Sequence, residues 1–484
     1  MLRPLAAHFA AASRGRVLGY LLSVFVLSRS VFFLGGVRYN TGELFQGWQF
    51  LDVELLKHDL LRSVFYQHSQ PPLFNLFLGI VLKIAPSDYA VIFQALFTLA
   101  GFGAYLLIFA LMRRLGVSRF LSFLLCVWYV VSPSAILYEQ WLFYTMPLTL
   151  LLLLSAWTLI RFLDTDKTGW LFGFFLTLFG LCGTQSTFHL LYFAILIAWL
   201  MRTRRTQWKR IATVALVPFS LILAVYVKNE IVFGQFTASS WLGMNTAINR
   251  LDYVPVPERE RLIAAGKISP VALHEPFSAL EEYPNEYQTV PAQFADIPAL
   301  SAARKSSGDV NYNHYGYIEI SRQYGKDTRY VLTHSPRALL RGGAKGWVLY
   351  FCSSSDYLFF YRETEETPLL RIENSVYDHL FYGRLPHRGV CVFLLIGLPF
   401  VAIYALRAVR SRKIVLDETQ RFLLCYLVFT LVYVALVGNT FNATENNRIR
   451  FMTDPFALVL LGFAANSGVR VFRCSGVRTM PAAL

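Results

Sequence analysis

What most constrains this chain is a recurrence of apolar runs about 20 residues long, the length a helix needs to cross the hydrocarbon of a bilayer. Residues 17–36, 89–112, 120–137, 141–162, 211–232, 389–407, 421–438 and 452–469 are such runs, and 170–201 reads as a tight hairpin of two more, broken near Gly183-Thr184-Gln185-Ser186. Inside a bilayer no water is present to satisfy backbone amides, so runs of this kind fold as helices that close their hydrogen bonds internally. Composition agrees: 55% of the 484 residues are hydrophobic, 41 are phenylalanine and only 15% are charged. A water-soluble protein of this length needs more charge to cover its surface. The sequence predicts an all-α polytopic membrane protein of about ten transmembrane helices.

A net charge of +15 suits nucleic acid in principle, but the basic residues lie in short clusters between the runs. Arg3, Arg14 and Arg16 form one; Arg113, Arg114 and Arg119 a second; Arg202, Arg204, Arg205, Lys209 and Arg210 a third; Arg407, Arg410, Arg412 and Lys413 a fourth; Arg470, Arg473 and Arg478 the last. Such clusters mark cytoplasmic loops. Placing all of them inside puts both termini in the cytoplasm. The run 72–85, about 14 residues beginning with two prolines, is short for a crossing and reads as a helix lodged in the outer face. Residues 17–36 are expected to remain as an anchor, because the run is long, carries Arg29 and has no small-x-small site at its outer end. Cys126, Cys182, Cys352, Cys391, Cys425 and Cys474 include no CxxC pair and read as apolar fillers.

Three parts follow: an N-terminal module, 1–232, with a first outer loop over 37–88; a long extracytoplasmic segment, 233–388; and C-terminal spans with a tail, 389–484. The middle segment is far longer than a connection requires. It is expected to hold a helix over Tyr317–Tyr330 and another starting at Pro336, whose Leu339, Leu340, Trp347, Val348 and Phe351 suit a membrane surface. No internal repeat is evident. In the first loop, Leu44, Trp48, Leu51 and Leu55 fall at helical spacing and predict an amphipathic helix over 44–66, on which Asp52 and Asp59 share a face.

Several polar groups stand where chemistry at a membrane surface needs them. Asp52 and Glu54 can act as a general base toward an acceptor hydroxyl, or belong to an ordinary solvated helix face. Glu139, in the turn between two spans, is expected to face the same cavity as Asp52, to bind a metal, orient the acceptor or cap the next helix. Glu445-Asn446-Asn447-Arg448-Ile449-Arg450 places two arginines at an outer end, against the usual distribution of charge. A guanidinium fork suits a phosphate and the charge that develops on it as a leaving group. The alternative is an i,i+3 pair of Glu445 with Arg448. Asn442-Ala443-Thr444 matches a glycosylation sequon. His58 and His68 lack the partners a metal site requires and read as polar cavity residues, and His68 and Gln70 are candidates for binding substrate. Lys57 and Arg62 suit phosphate or lipid headgroups, and Gln185 and His189 are candidates for the same cavity. Arg29 must face protein or cavity, since a charge facing lipid is costly.

Four stretches together resemble the GT-C fold glycosyltransferases, in particular the bacterial branch similar to protein mannosyltransferases and aminoarabinose transferases. They are Leu51-Asp52-Val53-Glu54 with Tyr66-Gln67-His68-Ser69-Gln70-Pro71-Pro72-Leu73-Phe74; Tyr138-Glu139; the stretch from Val232 to Asn245; and Glu445 to Phe451 with Asp454-Pro455. The resemblance implies a GT-C-like bundle with outer juxtamembrane helices in a bacterial inner membrane and an active site outside. The donor would be a polyprenyl-phosphate sugar and the acceptor an envelope glycan, lipid or protein. Asp52, with Glu54 nearby, matches the acid of the family's first loop, Glu139 its second outer acid, and Arg448 and Arg450 its basic end. The sequence departs from many relatives in separating Asp52 from Glu54 by Val53, and in having Glu at the second position. No cofactor is required in this reading, although a divalent cation is compatible with it. The rival readings are a ligase or polymerase using diphosphate-linked donors, a transporter or flippase of polyprenyl-linked substrates, and a non-catalytic scaffold.

Overall fold

The computed structural model describes residues 4, 9, 11–248, 250–356, 360, 366–386, 389–441 and 444–475, with backbone alone at 252, 336, 339, 441 and 468–475. Arg3, Arg478 and the Asn442-Ala443 half of the sequon lie outside the described residues, as do the side chains of Leu339, Arg470, Arg473 and Cys474. The described residues are helical, with only isolated β-bridges such as Asn40 with Trp141.

Among the described residues six helices are long and apolar enough to cross a membrane: Arg14–Leu34, Tyr89–Arg114, Thr145–Thr165, Arg205–Phe233, Val392–Arg410 and Glu418–Thr440. A seventh candidate is a pair, Arg119–Val130 and Pro133–Glu139, bent by 60° at its break. The bend has a local cause. Pro133 cannot donate to the preceding turn, and the Ser132 hydroxyl accepts from the Ala135 amide at 3.3 Å, starting a new helix. Leu73–Ile84, Thr168–Thr184, Leu190–Thr203 and Asp454–Ser475 are shorter or less apolar helices. The protein is therefore a polytopic helical membrane protein.

Thr145–Thr165 lies at the centre of the bundle, against Tyr89–Arg114, Thr168–Thr184 and Glu418–Phe441. Leu148, Leu152, Leu153, Ala156 and Leu159 bury its apolar faces. Polar pairs fasten the helices as well: Ser155 to the Tyr426 hydroxyl at 2.5 Å, and Tyr192 to Thr430 at 3.1 Å. At one end of the bundle ion pairs join the loops that hold the basic clusters. Arg114 bonds Asp164 at 2.6 Å and Asp417 at 2.8 Å, and Arg210 meets Asp166 at 3.1 Å. Loops gather at the other end too. The Asn40 amide donates to Gln140 at 2.7 Å, Tyr138 to the Ser354 carbonyl at 3.1 Å, and the Ser240 amide to His68 at 2.9 Å.

The segment after Phe233 folds on that second end around cores of its own. One includes Trp241, Met244, Tyr317 and Tyr324, another Phe294, Ile297, Leu300 and Ile318. The expected helices are present as Gly316–His334 and Pro336–Tyr350. Gly243 lets Leu242–Ala247 press on the first of these, since a Cβ there would stand 1.7 Å from the Ser321 carbonyl oxygen.

The continuous helix expected over 44–66 does not form. Three short helices take its place: Glu43–Gln46, Val53–His58 and Leu60–Phe65. Gly47 ends the first, packed so closely that a Cβ would meet the Glu43 carbonyl at 2.5 Å. Asp52 caps the second, accepting from the Glu54 amide at 3.1 Å. Asp59, at φ −131° and ψ 46°, separates the second from the third. Asp52 and Asp59 thus do not share a helix face. The Asn75 side chain holds the loop to Leu73–Ile84, accepting from the Leu51 amide at 2.9 Å and donating to the Gln49 carbonyl at 3.1 Å.

Candidate active site

A cavity of about 400 Å³ opens among these loops. Trp48, Gln49 and Gln70 line it from the first loop, and Gln185 and His189 from the hairpin tip. Trp241, Asn245 and Phe277 come from the long segment, and Glu445 and Arg448 from the last loop. Its lining runs from buried to exposed side chains. Arg448 is 1% exposed, whereas Leu191 and Leu242, also on the wall, are 60% and 52% exposed. A ligand with a polar head and an apolar tail can place the head at Arg448 and the tail along Leu191 and Leu242.

The two arginines of the last loop separate. They stand two residues apart on the short helix Asn446–Phe451, which turns them to opposite sides. Arg448 lines the cavity, pairs with Glu445, donates to the Thr145 hydroxyl at 3.3 Å and lies 4.8 Å from the Phe143 ring centroid. Arg450 is bound by protein instead: Asp454 at 3.1 Å, the Cys352 carbonyl at 2.6 Å, the Ser354 hydroxyl at 2.6 Å and the Tyr350 carbonyl. Those acceptors use the guanidinium in fastening Pro336–Tyr350 to the bundle. Of the two arginines expected to meet a ligand, Arg448 lines the cavity and Arg450 does not.

The acids are placed differently from the sequence expectation, and neither Asp52 nor Glu139 lines the cavity. Asp52 accepts from the Ser306 amide at 2.8 Å and the Ser306 hydroxyl at 2.6 Å, joining the first loop to a turn 254 residues away. Glu54 points to solvent and pairs with Lys57 at 2.9 Å. Glu139 is buried and gripped by Arg29, whose Nε donates to it at 2.9 Å while its second nitrogen makes a closer bond. Gly101 gives that carboxylate its room, since a Cβ there would stand 2.0 Å from Glu139 Oε2. The Arg29 charge thus meets protein, as a guanidinium within a span must. Gln70 lines the cavity, but His68 stands behind it, bonded to Ser240 at 2.7 Å and the Asn313 carbonyl at 2.9 Å. Burial holds the His68 imidazole down at about 3, so it is neutral and acts as a tie.

Among the buried ionisable groups not singled out from the sequence, Glu43 and Lys305 lie near the cavity without lining it. Glu43, 5% exposed, begins the first short helix. Burial pushes its pKa up to about 7, with repulsion from Glu445 adding to it; Trp141, which donates to the carboxylate, and the charges of Lys305 and Arg448 oppose the rise. A carboxylate so placed changes charge near neutral pH. Lys305 donates to the Gly47 carbonyl at 2.6 Å, and burial lowers its pKa to about 8 against the fields of Asp309, Asp52 and Glu43. Asp52, Lys305, Glu43, Glu445 and Arg448 therefore form a connected electrostatic group beside the cavity. One signal pointed to Glu43: residues 1–42 contain no aspartate or glutamate, so it is the first acid after the first span. Lys305 gave none, because its contact spans 258 residues of chain.

Among the described residues no group of three or more His, Cys, Asp or Glu side chains is arranged to hold a metal ion. Comparison with protein-family models, curated proteins and solved structures gives no match. The function must be argued from the site.

Proposed function

We propose that the chain is a membrane glycosyltransferase of the GT-C type, moving a sugar from a polyprenyl-phosphate donor to an envelope glycan, lipid or protein. The observation that carries this reading is the joining in one cavity of a buried guanidinium, Arg448, and exposed apolar side chains such as Leu191 and Leu242, with the buried carboxylate of Glu43 close enough to feel the charges of Glu445 and Arg448. A lipid phosphate needs the first two, and deprotonation of an acceptor hydroxyl needs the third. With the bent pair counted as one span, and Thr168–Thr184, Leu190–Thr203 and Asp454–Ser475 read as crossing, the chain spans a bacterial inner membrane ten times. The basic clusters and both termini are then cytoplasmic, and the cavity opens outside.

In this reading the base is Glu43 rather than Asp52: neither lines the cavity, but Glu43 lies in the field of Glu445 and Arg448, which do, whereas the oxygens of Asp52 are engaged by Ser306 and the Glu54 amide. Glu43 takes the proton of the acceptor hydroxyl, and that oxygen forms a bond to the anomeric carbon from the face opposite the phosphate. The bond from that carbon to the phosphate oxygen breaks, and its electron pair leaves on the phosphate, where Arg448 compensates the charge. Configuration inverts in this single displacement. Glu445 holds Arg448 in place, Gln70 bonds donor or acceptor hydroxyls, and Glu54, Glu139, His68 and Arg450 support the architecture. Incubating the purified protein with mono- and diphosphate-linked polyprenyl sugars tests the reading. Transfer from the monophosphate supports it; transfer from the diphosphate alone identifies a ligase or polymerase, and lipid movement without a glycosyl product a flippase.

A further inference from the structure

A second hollow, of about 620 Å³, lies at the other end of the bundle, between Arg14–Leu34, Tyr89–Arg114 and Thr145–Thr165. Tyr144 lines the first cavity and Asp164 this one, so nearly the length of one helix, about 30 Å at 1.5 Å per residue, separates them. Its walls are apolar: Leu21, Phe109, Trp157 and Ile160 line it, and Leu18, 52% exposed, opens it to the surrounding lipid. Its rim is strongly basic. Arg14, Arg113, Arg114, Arg119 and Arg161 line it with one carboxylate, Asp164. Asp164 and Asp417 pair with Arg114, while Arg113 and Arg119 each spend one nitrogen on a backbone carbonyl, of Val117 and Ala12, and a guanidinium fork carries further donors. The rim arginines come from four helices, so their convergence is a property of the fold and not of one basic loop.

We propose that this hollow binds an anionic phospholipid of the bilayer, with an acyl chain along the apolar walls and the phosphate among the rim arginines. An apolar groove ending in several guanidiniums at the membrane surface has the chemistry that selects such lipids. A zwitterionic lipid brings a choline or ethanolamine cation to an already positive rim and is disfavoured. The site is separate from the cavity of the proposed transfer reaction and does not rest on that reading.

The test is native mass spectrometry of the delipidated full-length protein with phosphatidylglycerol, phosphatidylcholine of the same chains, and inorganic phosphate. Phosphatidylglycerol should be retained at least tenfold over phosphatidylcholine, and phosphate at the same concentration should neither bind nor displace it. Arg113→Gln with Arg161→Gln should erase the preference, whereas Arg412→Gln with Lys413→Gln, outside the hollow, should leave it intact. Leu18→Trp, which narrows the mouth without touching a charge, should lower retention of both lipids. Equal retention of the two lipids by the wild type overturns the proposal without any variant. Displacement by phosphate alone, or a preference that survives loss of the rim arginines, overturns it as well.

Discussion

Arg448 and Arg450, two residues apart on one short helix, face different surroundings: the first lines the cavity beside Glu445, and the second is enclosed by Asp454, Ser354 and backbone carbonyls. Chemistry at Arg448 and stability at Arg450 should therefore separate under mutation.

Arg450→Ala leaves the partly buried Asp454 without its cation and the Tyr350 and Cys352 carbonyls without their donor, and should cost about 3 kcal/mol of stability, seen as a lower Tm in detergent. Arg448→Lys should keep the fold and raise the KM for a polyprenyl-phosphate donor by about tenfold or more, because an ammonium lacks the planar fork. The double variant Arg448→Ala, Glu445→Ala should recover stability relative to Arg448→Ala, but not activity.

Glu43→Gln should reduce transfer by roughly 10²- to 10⁴-fold. In the wild type the rate should rise as pH passes about 7, where Glu43 loses its proton. Stability gives an independent check. A carboxyl whose pKa is raised from 4.5 to about 7 on folding contributes stability that is fully present below 4.5 and is lost as pH rises through 7. Unfolding at a series of pH values should show the wild type losing ground to Glu43→Gln across that interval.

Asp52→Asn keeps one acceptor oxygen and should cost about 1–2 kcal/mol by weakening the bonds to Ser306. It should retain more than about a tenth of the activity, well above the general-base loss expected for Glu43→Gln. The reverse ranking would return the role of base to Asp52.

Gly101→Ala should drive Arg29 and Glu139 apart and lower Tm, as should Glu139→Ala alone. Replacing both partners, as Arg29→Leu with Glu139→Leu, should be far less damaging than either single loss, because no buried charge is left unpaired. Epistasis in a double-mutant cycle measures this directly.

The architecture was legible where its cause is local. Apolar runs gave Arg14–Leu34 and Tyr89–Arg114, and a proline start gave Pro336–Tyr350. Periodicity misled at 44–66, where the close contact at Gly47 and the cap at Asp52 outweigh the spacing of Leu44, Trp48, Leu51 and Leu55. The sequence singled out Arg448, which lines the cavity, and its separation from Arg450 follows from helical spacing alone. Sequence required a partner for Arg29 without identifying Glu139, and Lys305 reaches Gly47 only through the folding of the long segment.

The most direct measurement is single-turnover transfer of labelled sugar from a polyprenyl-monophosphate donor by the full-length protein in nanodiscs, with envelope extract as acceptor. The account predicts that the wild type releases polyprenyl phosphate and labels the acceptor, while Glu43→Gln binds the donor and transfers at least about 100-fold more slowly. Wild-type transfer by Glu43→Gln, or donor lipid crossing between leaflets with its sugar still attached and no labelled acceptor, would contradict it.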